Sequence, residues 1–176
     1  MEPPSVSAPT FTTLLPLPDD TDRLGAALAD ALTAESARIH AAQAGLALRL
    51  EGDLGAGKTS LIRAMLRRLG WEGAVKSPTF TLLETYSAGG LTVNHFDFYR
   101  FETPEEFEDA GFGDLYAPGA VCASEWTSRA EPCAPAADLV VSLAVEGYGR
   151  AAHIEARTEL GAALLREWES RWTAAA

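Results

Sequence analysis

The sequence predicts a single α/β domain in which three layers surround a mixed parallel and antiparallel sheet. A glycine-rich loop lies between a short apolar run and an amphipathic helix, which is the strand, loop, helix order of a parallel α/β unit. Two later pairs of strand-like runs are each joined by a short turn, which predicts antiparallel hairpins. The 176 residues fit one domain, which we expect to span residues 10–176 after a disordered segment at 1–9.

The N-terminal elements are predicted to be a strand and a helix. Residues 10–15 have strand composition, and Asp19, Asp20 and Thr21 offer an N-cap with an acidic first turn. The apolar stripe of the helix comprises Leu24, Leu28, Ala31 and Leu32. The alanine-rich stretch 33–45 indicates the end of this helix followed by a connector.

A phosphate-binding loop is the strongest motif in the chain. Residues 52–59 match G-x-x-x-x-G-K-T, the Walker A pattern of P-loop nucleotide-binding proteins. Its glycines let amide groups face phosphate oxygens, Lys58 supplies a mobile positive charge, and the Thr59 hydroxyl can bind Mg²⁺. The flanking strand 46–50 and the helix ending near Gly70 support the motif. The predicted nucleotide contacts are Gly52, Asp53, Leu54, Gly55, Ala56, Gly57, Lys58, Thr59 and Ser60.

The remaining elements are predicted from turns, caps and periodicity. They are a hairpin of strands 80–86 and 91–98 around the turn 87–90, a helix from Thr103 to about Gly111, a strand at 119–124, a hairpin of strands 139–145 and 151–156, and an amphipathic helix at 159–172.

The second strand of the first hairpin ends in an acidic residue. Strand alternation places His95, Asp97 and Tyr99 on one face, whereas Phe96 and Phe98 face the core. In a P-loop protein, Asp97 is a candidate Walker B acid that holds Mg²⁺ directly or through water. The alternative is that Asp97 begins a surface turn. His95 is predicted to be a structural, hydrogen-bonding histidine rather than a catalytic one.

A second carboxylate follows the strand at 119–124. Open α/β sheets place ligand-binding groups at the carboxyl ends of strands, so Glu125 could bind Mg²⁺ or position water. Trp126 could pack on a nucleotide or on neighbouring loops, and ordinary core packing is the alternative.

Composition limits the classes of partner. The formal net charge of −11, from 25 acidic and 14 basic residues, argues against direct tight binding of nucleic acid. Cys122 and Cys133 fit neither a disulfide framework nor a zinc site, so we expect free thiols. We find no signal-peptide pattern and no apolar run of membrane-spanning length, and we therefore expect a cytoplasmic protein with no membrane association.

Four sequence blocks in this order resemble the bacterial TsaE (YjeE) family: residues 52–59, 75–82, 95–100 and 125–126. The resemblance covers about residues 12–157 and implies a P-loop ATPase that uses ATP and ADP with Mg²⁺. Members act with the TsaB and TsaD proteins, which place a threonylcarbamoyl group on adenosine 37 of tRNAs that read ANN codons. The implied ATPase docks on TsaB–TsaD, supports repeated turnover by hydrolysis, and contacts tRNA only through that complex.

The same resemblance implies roles for individual residues. Thr59 and Glu125 would ligate Mg²⁺, and Asp97 would be the Walker B acid, so the implied catalytic set is Lys58, Asp97 and Glu125. The segment around Thr21 and the hairpin bearing Arg150 would approach the nucleotide. A switch-like loop that senses the γ-phosphate would comprise Lys76, Ser77, Pro78, Thr79 and Thr81.

Two other functional classes remain open from the sequence. A small-molecule P-loop kinase needs a basic lid over its acceptor, but Arg63, Arg67 and Arg68 lie on the helix of the P-loop itself. A GTPase-type binding switch normally recognises guanine through an Asn-Lys-x-Asp loop, and the only asparagine, Asn94, is followed by His95.

Overall fold

The computed structural model describes residues 8–53 and 55–175. Leu54, Ala176 and the first seven residues, which belong to the segment expected to be disordered, lie outside that description. The strands are β1 (Thr10–Leu15), β2 (Leu46–Glu51), β3 (Leu83–Ala88), β4 (Leu91–Asp97), β5 (Ala120–Glu125), β6 (Leu139–Glu146) and β7 (Gly149–Ala156). The helices are α1 (Pro18–Ala34), α2 (Ser36–Ala41), α3 (Lys58–Leu69), α4 (Glu106–Asp109) and α5 (Glu159–Ala174), with 3₁₀ turns at Phe112–Leu115 and Thr127–Ala130.

The seven strands form one mixed sheet in the order β1-β7-β6-β2-β5-β4-β3. The four central strands, β6, β2, β5 and β4, run parallel, whereas β7, β1 and β3 are antiparallel to their neighbours. In this register, Leu50 of β2 and Asp97 of β4 both lie opposite Glu125 of β5. The carboxyl ends of β2, β5 and β4 therefore meet at one edge of the sheet, as the predicted mixed α/β fold requires.

Helices and loops cover the two faces of the sheet. On one face, α1, α3 and α5 bury apolar side chains against the central strands, and Leu61, Met65 and Trp168 are fully buried there. On the other face lies an aromatic cluster contributed by β4 and the segments around α4, with Phe96, Phe98, Phe101, Phe107 and Tyr116 buried. This arrangement confirms the predicted three layers.

The beginning of α1 differs from the prediction. The N-cap is Leu17, with Pro18 in the first turn, and not one of the residues 19–21. Asp20 still caps the helix, because its Oδ2 accepts the Leu17 backbone N–H at 2.9 Å while its Oδ1 accepts a hydrogen bond from Arg23 at 2.7 Å. A carboxylate in the first turn also interacts favourably with the helix dipole, so the predicted acidic first turn is confirmed.

Four other boundaries differ from the prediction. The stretch 33–45 contains a second short helix, α2, because α1 ends at Ala34 and the chain resumes helical geometry after Glu35. β3 begins three residues late, since residues 78–81 form a turn closed by a hydrogen bond from Leu82 N–H to the Pro78 carbonyl at 2.8 Å. The helix predicted from Thr103 is α-helical only over α4, and β7 begins at Gly149.

A close approach between α1 and α3 occurs at Gly25. A Cβ at this position would lie 2.6 Å from the Leu61 carbonyl oxygen and 2.8 Å from the Ala64 Cβ. We expect Gly25→Leu to lower the free energy of unfolding by about 2–3 kcal/mol, because the backbones cannot separate without disrupting the core. Urea unfolding measures this, with Ala34→Leu on the exposed end of α1 as the control. An unchanged unfolding midpoint for Gly25→Leu would contradict the packing.

Candidate functional site

A cavity of about 560 Å³ lies at the carboxyl edge of the sheet, where β2, β5 and β4 end. This volume is in the usual range for cofactor sites. The lining residues come from the P-loop, the predicted switch loop and the ends of β4, β5 and β7, and comprise Gly55, Gly57, Lys58, Thr59, Ser60, Ser77, Thr79, Asp97, Tyr99, Glu125, Trp126 and Arg150.

The P-loop bends sharply between β2 and α3. Gly52 and Gly57 have φ angles of 142° and 106°, which side chains with a Cβ rarely adopt. A Cβ on Gly52 would also lie 2.4 Å from the Leu143 carbonyl oxygen. Because α3 begins at Lys58, the free amides of its first turn lie at the cavity, as anion binding requires.

Lys58 is almost fully buried at the base of the cavity. Its Nζ donates a hydrogen bond to the Gly52 carbonyl at 2.5 Å and lies 3.3 Å from Oε1 of Glu125. The ammonium is also 5.9 Å from the centre of the Trp126 ring. The structure thus brings Lys58 and Glu125 together at one cavity.

Asp97 and Glu125 lie opposite each other at the ends of adjacent parallel strands, and both are buried. Burial raises the pKa of Asp97 and the negative charge of Glu125 raises it further, while the Tyr99 backbone N–H opposes the shift. Burial also disfavours the ionised form of Glu125, but the hydrogen bond from His95 and the charge of Lys58 outweigh it, and the pKa of Glu125 is lowered. Asp97 is therefore not at the surface, although the chain does turn directly after it, where the Tyr99 N–H donates to its Oδ1 at 2.9 Å.

His95 makes a hydrogen bond inside the sheet. It is fully buried, and its Nε2 lies 2.7 Å from Oε2 of Glu125. His95 does not line the cavity. The prediction of a hydrogen-bonding histidine is confirmed, although sequence alone did not identify Glu125 as its partner.

Trp126 lies at the mouth of the cavity. Its side chain is 44% exposed, its ring makes an edge contact with Tyr99 at 5.0 Å, and Arg129 stacks over Tyr99 at 4.9 Å. Trp126 also has a positive φ of 54°, which turns the chain directly after β5. Ordinary core packing of Trp126 is therefore excluded, whereas packing against a neighbouring loop is observed.

The predicted switch loop reaches the cavity through two hydroxyl groups. Ser77 and Thr79 line the cavity, and their side-chain oxygens are 2.8 Å apart. Lys76, Pro78 and Thr81 do not line it; Pro78 is buried and Thr81 donates to a carboxylate oxygen of Glu84.

A backbone hydrogen bond connects this loop to β4. The Leu82 carbonyl accepts the Asp97 N–H at 3.0 Å, directly after the turn that contains Thr79. Leu82 itself has a φ of 66°, an uncommon conformation for a residue with a side chain. Leu82 therefore connects the end of this loop to the backbone of Asp97.

Arg150 crosses the P-loop from the start of β7. Its guanidinium donates to the Thr21 hydroxyl and to the Gly55 carbonyl, both at 3.3 Å, and it packs on Gly57. Thr21 contacts Arg150 and does not line the cavity.

The other residues predicted to contact the nucleotide occupy different positions. Gly52 and Asp53 line an adjacent cavity of about 210 Å³ that shares Lys58 and Trp126 with the larger one. Ala56 is buried, and Leu54 lies outside the described residues. Tyr99 lines the main cavity but was not predicted as a site residue, although strand alternation had placed it on the same face as Asp97.

The described part of the chain has no cluster of metal-binding side chains, no membrane-spanning helix and no disulfide bond. No group of three or more His, Cys, Asp or Glu side chains is placed to hold a metal ion there. Within residues 8–53 and 55–175, no helix combines the length and apolar character needed to cross a membrane. Cys122 and Cys133 are both free thiols, as predicted.

Comparisons with known proteins agree on one family. The sequence model described as "Threonylcarbamoyl adenosine biosynthesis protein TsaE" matches residues 15–154. The tRNA threonylcarbamoyladenosine biosynthesis protein TsaE of Haemophilus influenzae is 42% identical over 126 residues, which cover 70% of this chain and 78% of that protein. The Bacillus subtilis protein of the same name is 42% identical over 94 residues, covering 53% of this chain and 58% of the relative.

A solved structure of another protein has a similar fold. The crystal structure of Bacillus subtilis YdiB superposes with a TM-score of 0.70 at 25% identity, covering 94% of this chain and 98% of that one.

Proposed function

This chain belongs to the TsaE family, and from that membership we propose that it is the ATP-binding and ATP-hydrolysing subunit of the machinery that makes threonylcarbamoyladenosine in tRNA. The observation that carries the proposal is one cavity that joins the P-loop after β2 to carboxylates at the ends of β5 and β4. The family's role in threonylcarbamoyladenosine biosynthesis supports this choice over a small-molecule kinase or a GTPase-type switch.

The cavity fits the polyphosphate of a nucleotide. The amides at the start of α3, the Lys58 ammonium and the Arg150 guanidinium are donors from three directions around the P-loop. Charge-assisted hydrogen bonds of this kind are the strongest that proteins offer to phosphate. The lack of a Cβ on Gly57, where Arg150 lies against the backbone, allows the guanidinium to remain close to the loop.

The oxygen donors around the same cavity fit Mg²⁺. Thr59 supplies a hydroxyl, and Asp97 and Glu125 supply carboxylates; all three line the cavity. Mg²⁺ prefers such hard ligands and commonly shares its coordination with water and substrate phosphates, which suits a site without a complete protein cage. When bound, the ion would neutralise charge on phosphate oxygens.

The two carboxylates are suited to different tasks. Glu125 is held by partners on both oxygens, His95 at 2.7 Å and Lys58 at 3.3 Å, and its lowered pKa keeps it ionised as a ligand. Asp97 has a raised pKa and one backbone donor, Tyr99 N–H at 2.9 Å, which leaves its second oxygen available for water or metal. We assign Asp97 the role of the Walker B acid.

The proposed switch uses the loop that contains Ser77 and Thr79. Their hydroxyls reach the cavity, and the Leu82 carbonyl connects the same loop to the backbone of Asp97. Contacts to a γ-phosphate would order the loop, and hydrolysis would release it. Lys76 and Phe80, both exposed on this loop, would then present different surfaces to a partner in the two states.

The proposed partners are TsaB and TsaD, with tRNA contacted only through their complex in the cytoplasm. A protein with a formal net charge of −11 is poorly suited to binding the phosphates of tRNA. We therefore expect labelled tRNA to be retained weakly by this chain alone in a filter-binding titration at physiological salt, and strongly once TsaB and TsaD are added.

The control in that titration is the TsaB–TsaD pair without this chain. Tight tRNA binding by this chain alone that weakens steeply with salt would contradict the proposal, because salt-dependent affinity is the signature of direct phosphate contacts.

A further inference from the structure

The side chains of His95 and Glu125 form a buried pair behind the cavity. His95 lies on β4 two residues before Asp97, and its Nε2 is 2.7 Å from Oε2 of Glu125 on the neighbouring strand β5. The other carboxylate oxygen, Oε1, is 3.3 Å from Lys58 Nζ. One side of Glu125 thus faces the sheet interior, and the other faces the cavity.

The hydrogen-bond partners of His95 determine which ring nitrogen carries the hydrogen. Nδ1 is buried and has no hydrogen-bond partner among residues 8–53 and 55–175. A hydrogen on Nδ1 would be a buried donor without an acceptor, which costs about 1–3 kcal/mol. A hydrogen on Nε2 instead points to a carboxylate oxygen, so the Nε2–H tautomer satisfies the pair.

We propose that His95 is a positioning residue, which through its Nε2–H holds Oε2 of Glu125 so that Oε1 stays at Lys58 and the cavity. This inference rests on the proposed function, because it assumes that Glu125 works at a nucleotide–magnesium site. His95 has no direct role in the reaction, since it is fully buried and does not line the cavity. Its contribution is to restrict a glutamate side chain that has three rotatable bonds.

A residue that hydrogen-bonds to a metal ligand, as His95 does to Glu125, has a measurable effect on the metal site. Removal of such a residue typically costs 10–100-fold in metal affinity or activity. Glu125 is buried, so the loss of one partner also leaves a carboxylate oxygen without a donor. Loss of His95 should therefore raise the Mg²⁺ concentration needed for half-maximal ATP hydrolysis, and should not act only by lowering the affinity for the nucleotide.

Three substitutions separate positioning from simple packing. In His95→Gln the amide nitrogen reaches the position of Nε2, whereas in His95→Asn the shorter amide reaches only the position of Nδ1. His95→Leu keeps the side chain apolar and buried and removes both ring nitrogens. We expect His95→Asn and His95→Leu to raise the Mg²⁺ concentration for half-maximal ATP hydrolysis by about 10–100-fold, and His95→Gln to stay within about threefold of wild type.

Two further measurements are made on the wild type and the three variants. Binding of an unhydrolysable ATP analogue without Mg²⁺ should be equal in all four proteins, and circular dichroism checks that each variant is folded. Equal magnesium requirements in the Gln and Asn variants would overturn the positioning role. An absence of hydrolysis in the wild type with TsaB and TsaD present would instead overturn the proposed function.

A measurement on the unmodified protein does not depend on any variant folding. The ¹⁵N chemical shifts of the buried His95 ring, recorded by NMR at neutral pH, should show the hydrogen on Nε2. A hydrogen on Nδ1 with none on Nε2 would overturn the inference, because Nε2 could then not donate to Glu125. His40 and His153 are exposed and provide internal references.

Discussion

Replacing Lys58 with alanine is expected to weaken ATP binding by roughly ten- to a hundredfold. The buried ammonium donates to the Gly52 carbonyl of the P-loop, and a hydrogen bond from a charged group contributes about 1.5–3 kcal/mol. The substitution also removes a partner of the buried Glu125, so hydrolysis should fall by more than affinity does. Isothermal titration calorimetry with ATP and Mg²⁺ measures the affinity directly.

Lys76 provides a matched control for Lys58. It is the only other lysine in the chain, is exposed, and does not line the cavity. Lys76→Ala should therefore bind ATP as the wild type does. Unchanged ATP affinity in Lys58→Ala would mean that the P-loop does not bind the phosphates of the nucleotide.

Replacing Asp97 with asparagine is expected to nearly abolish ATP hydrolysis and to leave ATP affinity within a few fold of wild type. Asparagine keeps the shape and can still accept the Tyr99 N–H, so the fold of the strand end should persist. Loss of the charge removes transition-state stabilisation of several kcal/mol, which corresponds to a rate loss of about a hundredfold or more. Phosphate contacts come mainly from the P-loop and remain.

The measurement for Asp97 is a steady-state phosphate-release assay with TsaB and TsaD present. Asp109→Asn, on the exposed acidic segment around α4, changes the net charge equally and should hydrolyse ATP normally. Full activity of Asp97→Asn would rule out Asp97 as the Walker B acid. A large loss of ATP binding would show that Asp97 is needed to bind the nucleotide and not specifically to hydrolyse it.

Local patterns in the sequence were sufficient to predict much of the fold. The Walker A residues follow β2 and lead into α3 as predicted, because glycine geometry and an apolar stripe at helical spacing are local properties of the chain. Alternation in β4 correctly placed Asp97 apart from Phe96 and Phe98.

Features that depend on distant contacts were not predictable in this way. The pairing of His95 with Glu125 requires β4 and β5 to be neighbours, and no local signal specifies that strand order. β3 begins late because residues 78–81 form a turn, after which the Leu82 carbonyl accepts the Asp97 N–H across the hairpin. Trp126 is exposed and has a positive φ directly after β5. From composition alone, core packing of Trp126 was as well supported as packing on a nucleotide or a loop.

We propose that the bound nucleotide controls docking on TsaB–TsaD, and a pull-down measures this docking. TsaB–TsaD is immobilised and incubated with this chain in the presence of ATP and Mg²⁺, ADP and Mg²⁺, or no nucleotide. We expect the captured amount to depend on the nucleotide, with a clear difference between ATP and ADP, and Lys58→Ala to lose that dependence. Capture that is equal under all three conditions, or no capture under any of them, would contradict the account.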